Sequence, residues 1–306
     1  MGAIPLIYPP RFAVGDTIGV AAPASPPDQP EKIDEAMARF TQLGFRLKKA
    51  AHIDDRDGYL AGSDEDRAAD LHALFADPDV KAIFALRGGY GSCRILPRLD
   101  YDLIRAHPKP FFGYSDITAL HQAILCKAGL VTFHGPNLRE AFLPENARFF
   151  HELFLEPLAR EAMTLFAAGG EGTIQTLVPG RVTGHLLGGN MTCLLRLIGT
   201  PYAPDFRGAI LFLEDIGEKA YRIDGMFTHL RLAGVLPHLA GLVLGSFTHD
   251  DPEERDRIAA CLRREAERIG VPCVAGAPIG HFPGQIIVPM GVAATLDADA
   301  RMLSLM

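Results

Sequence analysis

Pro110-Phe111-Phe112-Gly113-Tyr114-Ser115-Asp116 is an apolar run that passes straight into the helical stretch Ile117–Lys127. Such a run, bulky and short, reads as a strand, Pro110–Tyr114, and the periodicity that follows reads as a helix. Ser115 therefore falls at a strand-to-helix turn. The same alternation extends toward the N-terminus: Thr17–Ala22 reads as a strand, Glu31–Leu43 and Asp64–Phe75 as helices, and Val80–Leu86 as a further strand. Ser63 followed by Asp66 marks the start of the second helix as an N-cap with an acidic first turn. Strands alternating with helices predict an α/β domain with a parallel sheet.

Toward the C-terminus the pattern loosens. From Glu145 it passes through a short helical segment to Gly169-Gly170-Glu171-Gly172 and Pro179-Gly180, which read as loop and linker. Beyond that, Arg181–Leu187, Ala209–Leu213 and Gly241–Leu244 are expected strands, and Ala220–Leu232 and Glu253–Ile269 expected helices. Val288–Leu296 and Met302–Leu305 complete a sheet around the turn Asp297-Ala298-Asp299. Two α/β domains follow, residues 1–160 and 181–306, joined by a linker over 161–180.

Composition narrows the function. The chain has 306 residues and a formal charge of −7, with no run of Lys and Arg to follow a phosphate backbone, so nucleic acid is not an expected partner. Met1–Tyr8 lacks a basic n-region and Pro5, Pro9 and Pro10 interrupt its apolar stretch, so no signal peptide is expected. No run of about 18 apolar residues exists to span a membrane. Cys93, Cys126, Cys193, Cys261 and Cys273 are scattered, without a C-x-x-C pair, which points to a reducing compartment and to no zinc site. No metal and no cofactor are expected.

Four features could carry chemistry. Ser115 has its hydroxyl exposed by the turn, and the N–H groups of the first helical turn beside it could stabilise an oxyanion; the alternative is a serine that only caps its helix. The motif is not G-x-S-x-G, because Ile117 stands at the second glycine position. Leu86-Arg87-Gly88-Gly89-Tyr90-Gly91-Ser92 is a glycine-rich turn after a strand, able to bring the Gly89 N–H close to a ligand or to serve as a plain connection. It is neither G-x-G-x-x-G nor a P-loop, so dinucleotide or nucleotide binding is poorly supported by this motif. Ala209–Leu213 ends in Glu214 and Asp215, which point to opposite faces and need different partners. His281 sits in the rigid loop Gly280-His281-Phe282-Pro283-Gly284-Gln285 and could act as a base oriented by a carboxylate.

Gly15-Asp16-Thr17, Ala21-Ala22-Pro23-Ala24-Ser25, Arg87-Gly88-Gly89-Tyr90-Gly91, Gly113-Tyr114-Ser115-Asp116, Phe133-His134-Gly135-Pro136, Leu213-Glu214-Asp215 and Gly280-His281 occur in this order over nearly the whole chain. Together they resemble the LD-carboxypeptidases, or murein tetrapeptide carboxypeptidases. The resemblance implies a serine peptidase with a Ser115, Glu214, His281 triad and an oxyanion hole from the amides of Gly89 and Asp116. It implies a flavodoxin or class I amidotransferase-like N-terminal domain and a smaller α/β C-terminal domain. It also implies a homodimer working in the cytoplasm on recycled murein peptides, releasing a terminal D-alanine. Arg87, Tyr90 and Arg222 are the candidates for holding the substrate, an arginine being suited to a terminal carboxylate; each arginine could equally form an ordinary ion pair.

Two other readings remain open at this point. Immunity peptidases of the same family cleave peptide-nucleotide antibiotics, but gripping the nucleotide is expected to need aromatic stacking, often by tryptophan, and this chain has no Trp. A catalytically silent ligand-binding module would use the glycine turns and leave Ser115 as a cap. A glutaminase would need a cysteine where Ser115 stands.

Overall fold

The computed structural model describes residues 4–27, 29–143, 150, 163–168 and 174–306. The chain divides into two compact units, Met1–Ala159 and Arg160–Met306. In the first, β1 (Thr17–Ala21), β2 (Arg46–Lys49), β3 (Val80–Ala85), β4 (Phe111–Gly113) and β5 (Phe133–His134) form a parallel sheet in the order β5-β4-β3-β1-β2. Parallel neighbours need crossovers, and α1 (Pro30–Gln42), α2 (Asp64–Ala76), α3 (Ser92–Ile95), α4 (Tyr101–Ala106) and α5 (Thr118–Ala128) lie in them. Ser63 caps α2 as expected, its Oγ accepting from the Asp66 N–H at 3.1 Å. β2 was not anticipated: Arg-Leu-Lys-Lys is an edge strand, mostly exposed, with none of the apolar runs that betray the inner strands.

Phe84 stacks on Phe112 with ring centroids 4.4 Å apart, and Phe112 on Phe133 at 5.1 Å, so adjacent strands are locked by buried aromatic faces. The chain leaves β1 for β2 on one side and then returns to β3, β4 and β5 on the other. That reversal between β1 and β3 is a topological switch point, where loops diverge at the carboxyl ends of the strands and leave room for a ligand.

The second unit contains β6 (Thr164–Phe166), β7 (Gln175–Val178), β8 (Arg181–Asn190), β9 (Ala209–Ile216), β10 (Gly241–Thr248), β11 (Cys273–Ala275), β12 (Val288–Pro289), β13 (Ala293–Asp297) and β14 (Met302–Leu305), with α6 (Met191–Leu195), α7 (Ala220–Leu232) and α8 (Pro252–Ile269). Its sheet runs β6-β14-β13-β8-β9-β10-β11-β7, with β8 to β11 mutually parallel and the flanking pairs antiparallel.

Three expectations change. Val288–Leu296 is not one strand but β12 and β13, broken around Gly291, whose φ of +81° lies in the left-handed region that favours glycine. β9 does not stop at Leu213; it continues through Glu214 and Asp215 to Ile216, because β10 keeps pairing with it. The stretch 161–180, expected as linker, supplies β6 and β7, whose backbones pair with β14 and β11; such short strands carry little periodicity of their own. The expected glycine-rich loop Gly169–Gly172 and the helical segment after Glu145 lie largely outside the described residues. No helix among the described residues is long and apolar enough to cross a membrane.

Candidate active site

Ser115 follows β4 after one residue, Tyr114, and opens a single 3₁₀ turn, Ser115–Ile117, that leads into α5. Its φ is +63°, the left-handed region that non-glycine residues avoid. The N-cap positions of the 3₁₀ turn and of α5 are Tyr114 and Ile117, neither with a side-chain cap bond, so Ser115 is not the helix cap that the sequence also allowed. The elbow is braced from below by His121, fully buried, whose Nε2–H donates to the Gly113 carbonyl at 2.8 Å while Nδ1 faces Thr132 Oγ1 at 2.9 Å. Burial pushes the His121 pKa down to about 4, so the ring is a neutral strut.

The glycine turn after β3 packs against this elbow. A Cβ on Gly88 would lie 2.8 Å from Ser115 Cβ, 3.0 Å from its Oγ and 3.2 Å from the Asp116 nitrogen. Gly89 and Gly91 hold φ of +102° and +125°, so the turn needs both glycines. Two residues that sequence reasoning did not select hold it in place. Ser25, in the loop after β1, donates its N–H to the Gly88 carbonyl at 3.3 Å and accepts the Tyr90 N–H on Oγ at 3.1 Å. Arg67, 1% exposed, donates from Nη1 to the carbonyls of Pro23 at 2.7 Å and Gly91 at 3.0 Å, and pairs with Asp64. Ser25 had already appeared in the family-like motif Ala21–Ser25; Arg67 gave no signal, since an arginine in an amphipathic helix reads as surface.

The remaining candidates of the first unit sit around this turn. The Asp116 carboxylate is fully buried and accepts the Ser92 N–H at 2.8 Å, tying the start of α3 to the elbow. Arg87 donates from Nη1 to the Pro26 carbonyl at 3.2 Å. Tyr90 is 40% exposed and meets the exposed ring of Tyr59 edge-on, centroids 5.5 Å apart.

In the second unit, His281 Nδ1 lies 2.7 Å from Glu214 Oε2. Glu214 is 0% exposed, and burial raises its carboxyl pKa, opposed by the bond to His281. The pair is tight because Gly280 has no side chain: a Cβ there would lie 2.8 Å from both Cβ and Oε2 of Glu214, at a φ of +118°. Asp215 faces the other way, as strand alternation requires, and accepts from Asn190 Nδ2 at 3.1 Å and from the N–H and Oγ1 of Thr192, both at 2.9 Å. It fastens the start of α6. Arg222, 56% exposed, pairs with Glu218 at 2.6 Å, the ordinary ion pair that was its alternative reading.

All five cysteines are free thiols. Asp251 is the N-cap of α8, accepting the Glu253 N–H at 2.9 Å, so the polar run at His249 is a helix start. One group that spacing did not suggest, His52 with Asp55 and Asp66, brings three donor atoms within 4.8 Å of one another on the first unit. Two of its members are already engaged: His52 Nδ1 bonds Asp70 at 2.9 Å and Asp66 bonds its own helix cap, Ser63.

Chemically, the first unit offers a strained, uncapped serine beside glycine and helix-start amides, and the second a buried carboxylate oriented on an imidazole. Residues 18–135 match the family model of the LD-carboxypeptidase N-terminal domain, and residues 183–296 that of the LD-carboxypeptidase C-terminal domain. The chain is 40% identical to the probable murein peptide carboxypeptidase of Bacillus subtilis, covering 98% of this chain and 95% of that one. It is 30% identical to the microcin C7 self-immunity protein MccF of Escherichia coli, over 98% and 96% of the two chains. The solved muramoyltetrapeptide carboxypeptidase of Oxalobacter formigenes superposes with a TM-score of 0.81 at 31% identity, over 94% and 97%.

Proposed function

Because the chain belongs to the LD-carboxypeptidase family, we propose that it is a serine carboxypeptidase that cuts the L,D-peptide bond of a murein tetrapeptide and releases its terminal D-alanine. Ser115 is the nucleophile, His281 the general base and Glu214 the carboxylate that orients it. The observation that carries this reading is the state of Ser115: a backbone strained to φ +63° with no capping role, and Gly88 packed flush against it. Strain of this kind costs on the order of 1–3 kcal/mol and is retained where function needs it.

The chemistry runs in two stages. Ser115 Oγ attacks the scissile carbonyl as His281 takes its proton; the imidazole Nδ1–H is held by Glu214, which stabilises the imidazolium. The oxyanion is received by the N–H groups of Gly89 and Asp116. His281 then protonates the departing amine of D-alanine, and water, deprotonated by the same imidazole, hydrolyses the acyl-serine. Arg87 and Tyr90, beside the oxyanion turn, bind the substrate, with Arg87 reading the terminal carboxylate. Arg222 is the weaker candidate, since its guanidinium is committed to Glu218. The five free thiols support a reducing cytoplasm as its place of work, and the working form we propose is a homodimer.

Mass spectrometry of the products from a mixture of murein tripeptide, tetrapeptide and pentapeptide tests the reading. D-alanine and tripeptide formed from the tetrapeptide are expected; an untouched tetrapeptide overturns it. The likeness to the immunity protein favours a second reading, cleavage of a peptide-nucleotide. Faster turnover of an aminoacyl-nucleotide mimic than of the tetrapeptide would establish that one instead.

A further inference from the structure

Glu214 has a second carboxylate oxygen to account for. Oε2 is taken by His281 and the Asn190 side chain also favours the anion, but Oε1 is buried and meets no donor at hydrogen-bond distance among the described residues. A buried carboxylate oxygen left without a donor is costly, and its ionised form needs one. Close by, Ser246 Oγ is also buried and also lacks a partner among the described residues. Both residues crowd the same point: a Cβ on Gly280 would collide with Ser246 Oγ and lie 2.8 Å from Glu214 Oε2.

Ser246 is brought there by an irregularity in the sheet. The register of β10 on β9 shifts between Leu244 and Phe247, so Gly245 and Ser246 form a bulge at the level of the β9 carboxylates. The same bulge holds the histidine loop, because the Ser246 N–H donates to the Ile279 carbonyl at 2.8 Å, two residues before His281. A Cβ on Gly245 would strike that carbonyl, so the approach depends on glycine. One residue thus touches the loop through its backbone and the carboxylate's surroundings through its side chain.

We propose that Ser246 is a positioning residue for the Glu214–His281 pair: its hydroxyl, by rotation about χ1, donates to the Glu214 carboxylate and holds it ionised against burial. This rests on the reading of Glu214 and His281 as the base pair of the reaction. The other groups facing Glu214 are His281 from its loop, Asp215 beside it on β9 and the Asn190 amide at the end of β8. Asp215 opposes ionisation and His281 and Asn190 favour it. A hydroxyl donor adds to the favourable side without adding charge.

The test is the pH dependence of Ser246→Ala and Ser246→Thr, read both as kcat/KM and as the His281 imidazole titration by NMR of the intact protein. Losing the donor makes the buried anion less favourable, so the pair takes up a proton more readily. In Ser246→Ala the acid limb of kcat/KM and the imidazole titration should both move to higher pH by at least about 0.5 unit. Activity should return toward that of the wild type well above the limb. Ser246→Thr, which keeps the hydroxyl, should stay with the wild type. Curves for Ser246→Ala that superimpose on the wild type, or a loss that is equal at every pH, would overturn the proposal. Full turnover in His281→Ala would instead show that the underlying catalytic reading is wrong, while the NMR titration still reports whether Ser246 reaches the pair.

Discussion

His281 Nδ1 and Glu214 Oε2 meet at 2.7 Å across a glycine, Gly280, that has no room for a side chain. Gly280→Ala should therefore force the pair apart. Its φ of +118° adds backbone strain, so a stability loss of about 1–3 kcal/mol is expected, along with a fall in turnover of at least about a hundredfold. Thermal melts and tetrapeptide kinetics on the same sample check both.

Glu214→Gln separates stability from activity. Burial raises the Glu214 pKa, so the folded state holds its proton to higher pH than the unfolded state does. In the window from the unfolded value up to the raised folded value, the unfolded state binds fewer protons, and stability falls as pH rises. The amide removes that penalty. Glu214→Gln should melt no lower than wild type at pH 8, lose any advantage at pH 4, and turn over at least about a hundredfold more slowly. A variant markedly less stable than wild type at pH 8 would contradict this.

Ser115→Gly should be inactive and yet more stable than Ser115→Ala by about 1 kcal/mol, because only glycine relieves φ +63°. Denaturant midpoints for the two variants decide it. Residual tetrapeptide turnover within tenfold of wild type in either would remove Ser115 from the role of nucleophile.

Gly88→Ala probes the packing of the glycine turn on the elbow. Its backbone is not in the left-handed region, so the substitution should be tolerated by the fold, but the new methyl would press on Ser115 Cβ and Oγ at 2.8 and 3.0 Å. The expected result is a kcat/KM lowered at least about tenfold in a protein whose melting point moves by only a few degrees.

Amidating the C-terminus of the peptide tests Arg87. If its guanidinium reads the terminal carboxylate, amidation should cost the wild type about 2–4 kcal/mol in kcat/KM and Arg87→Gln much less. Equal losses in the two proteins would assign the carboxylate to another residue, and Arg222→Gln would be measured next.

Much of the fold was legible because strands such as Val80–Ala85 and helices such as Ala220–Leu232 announce themselves by local periodicity, and Ser63 by its capping position. β2, β6 and β7 were not, because each exists through backbone pairing with a distant strand rather than through its own residues. Around the candidate site, the sequence showed which polar residues end apolar strands. Strand position by itself could not separate Glu214 from Asp215, which only the family resemblance did, since adjacent carboxylates differ in the face they take once β8 and β10 flank them.

The sequence alone determined the alternation of strands and helices, the strand-to-helix position of Ser115, the glycine turn, and the family to which the chain belongs; these are carried by residue type and short-range order. Only the tertiary structure decided the positive φ of Ser115, the bracing of the glycine turn by Ser25 and Arg67, the pairing of His281 with Glu214 and the bulge that brings Ser246 to them. The physical reason is range. Periodicity and capping are settled within a few residues, whereas strain, burial and a shared hydrogen bond depend on partners dozens of positions away, brought together by sheet register.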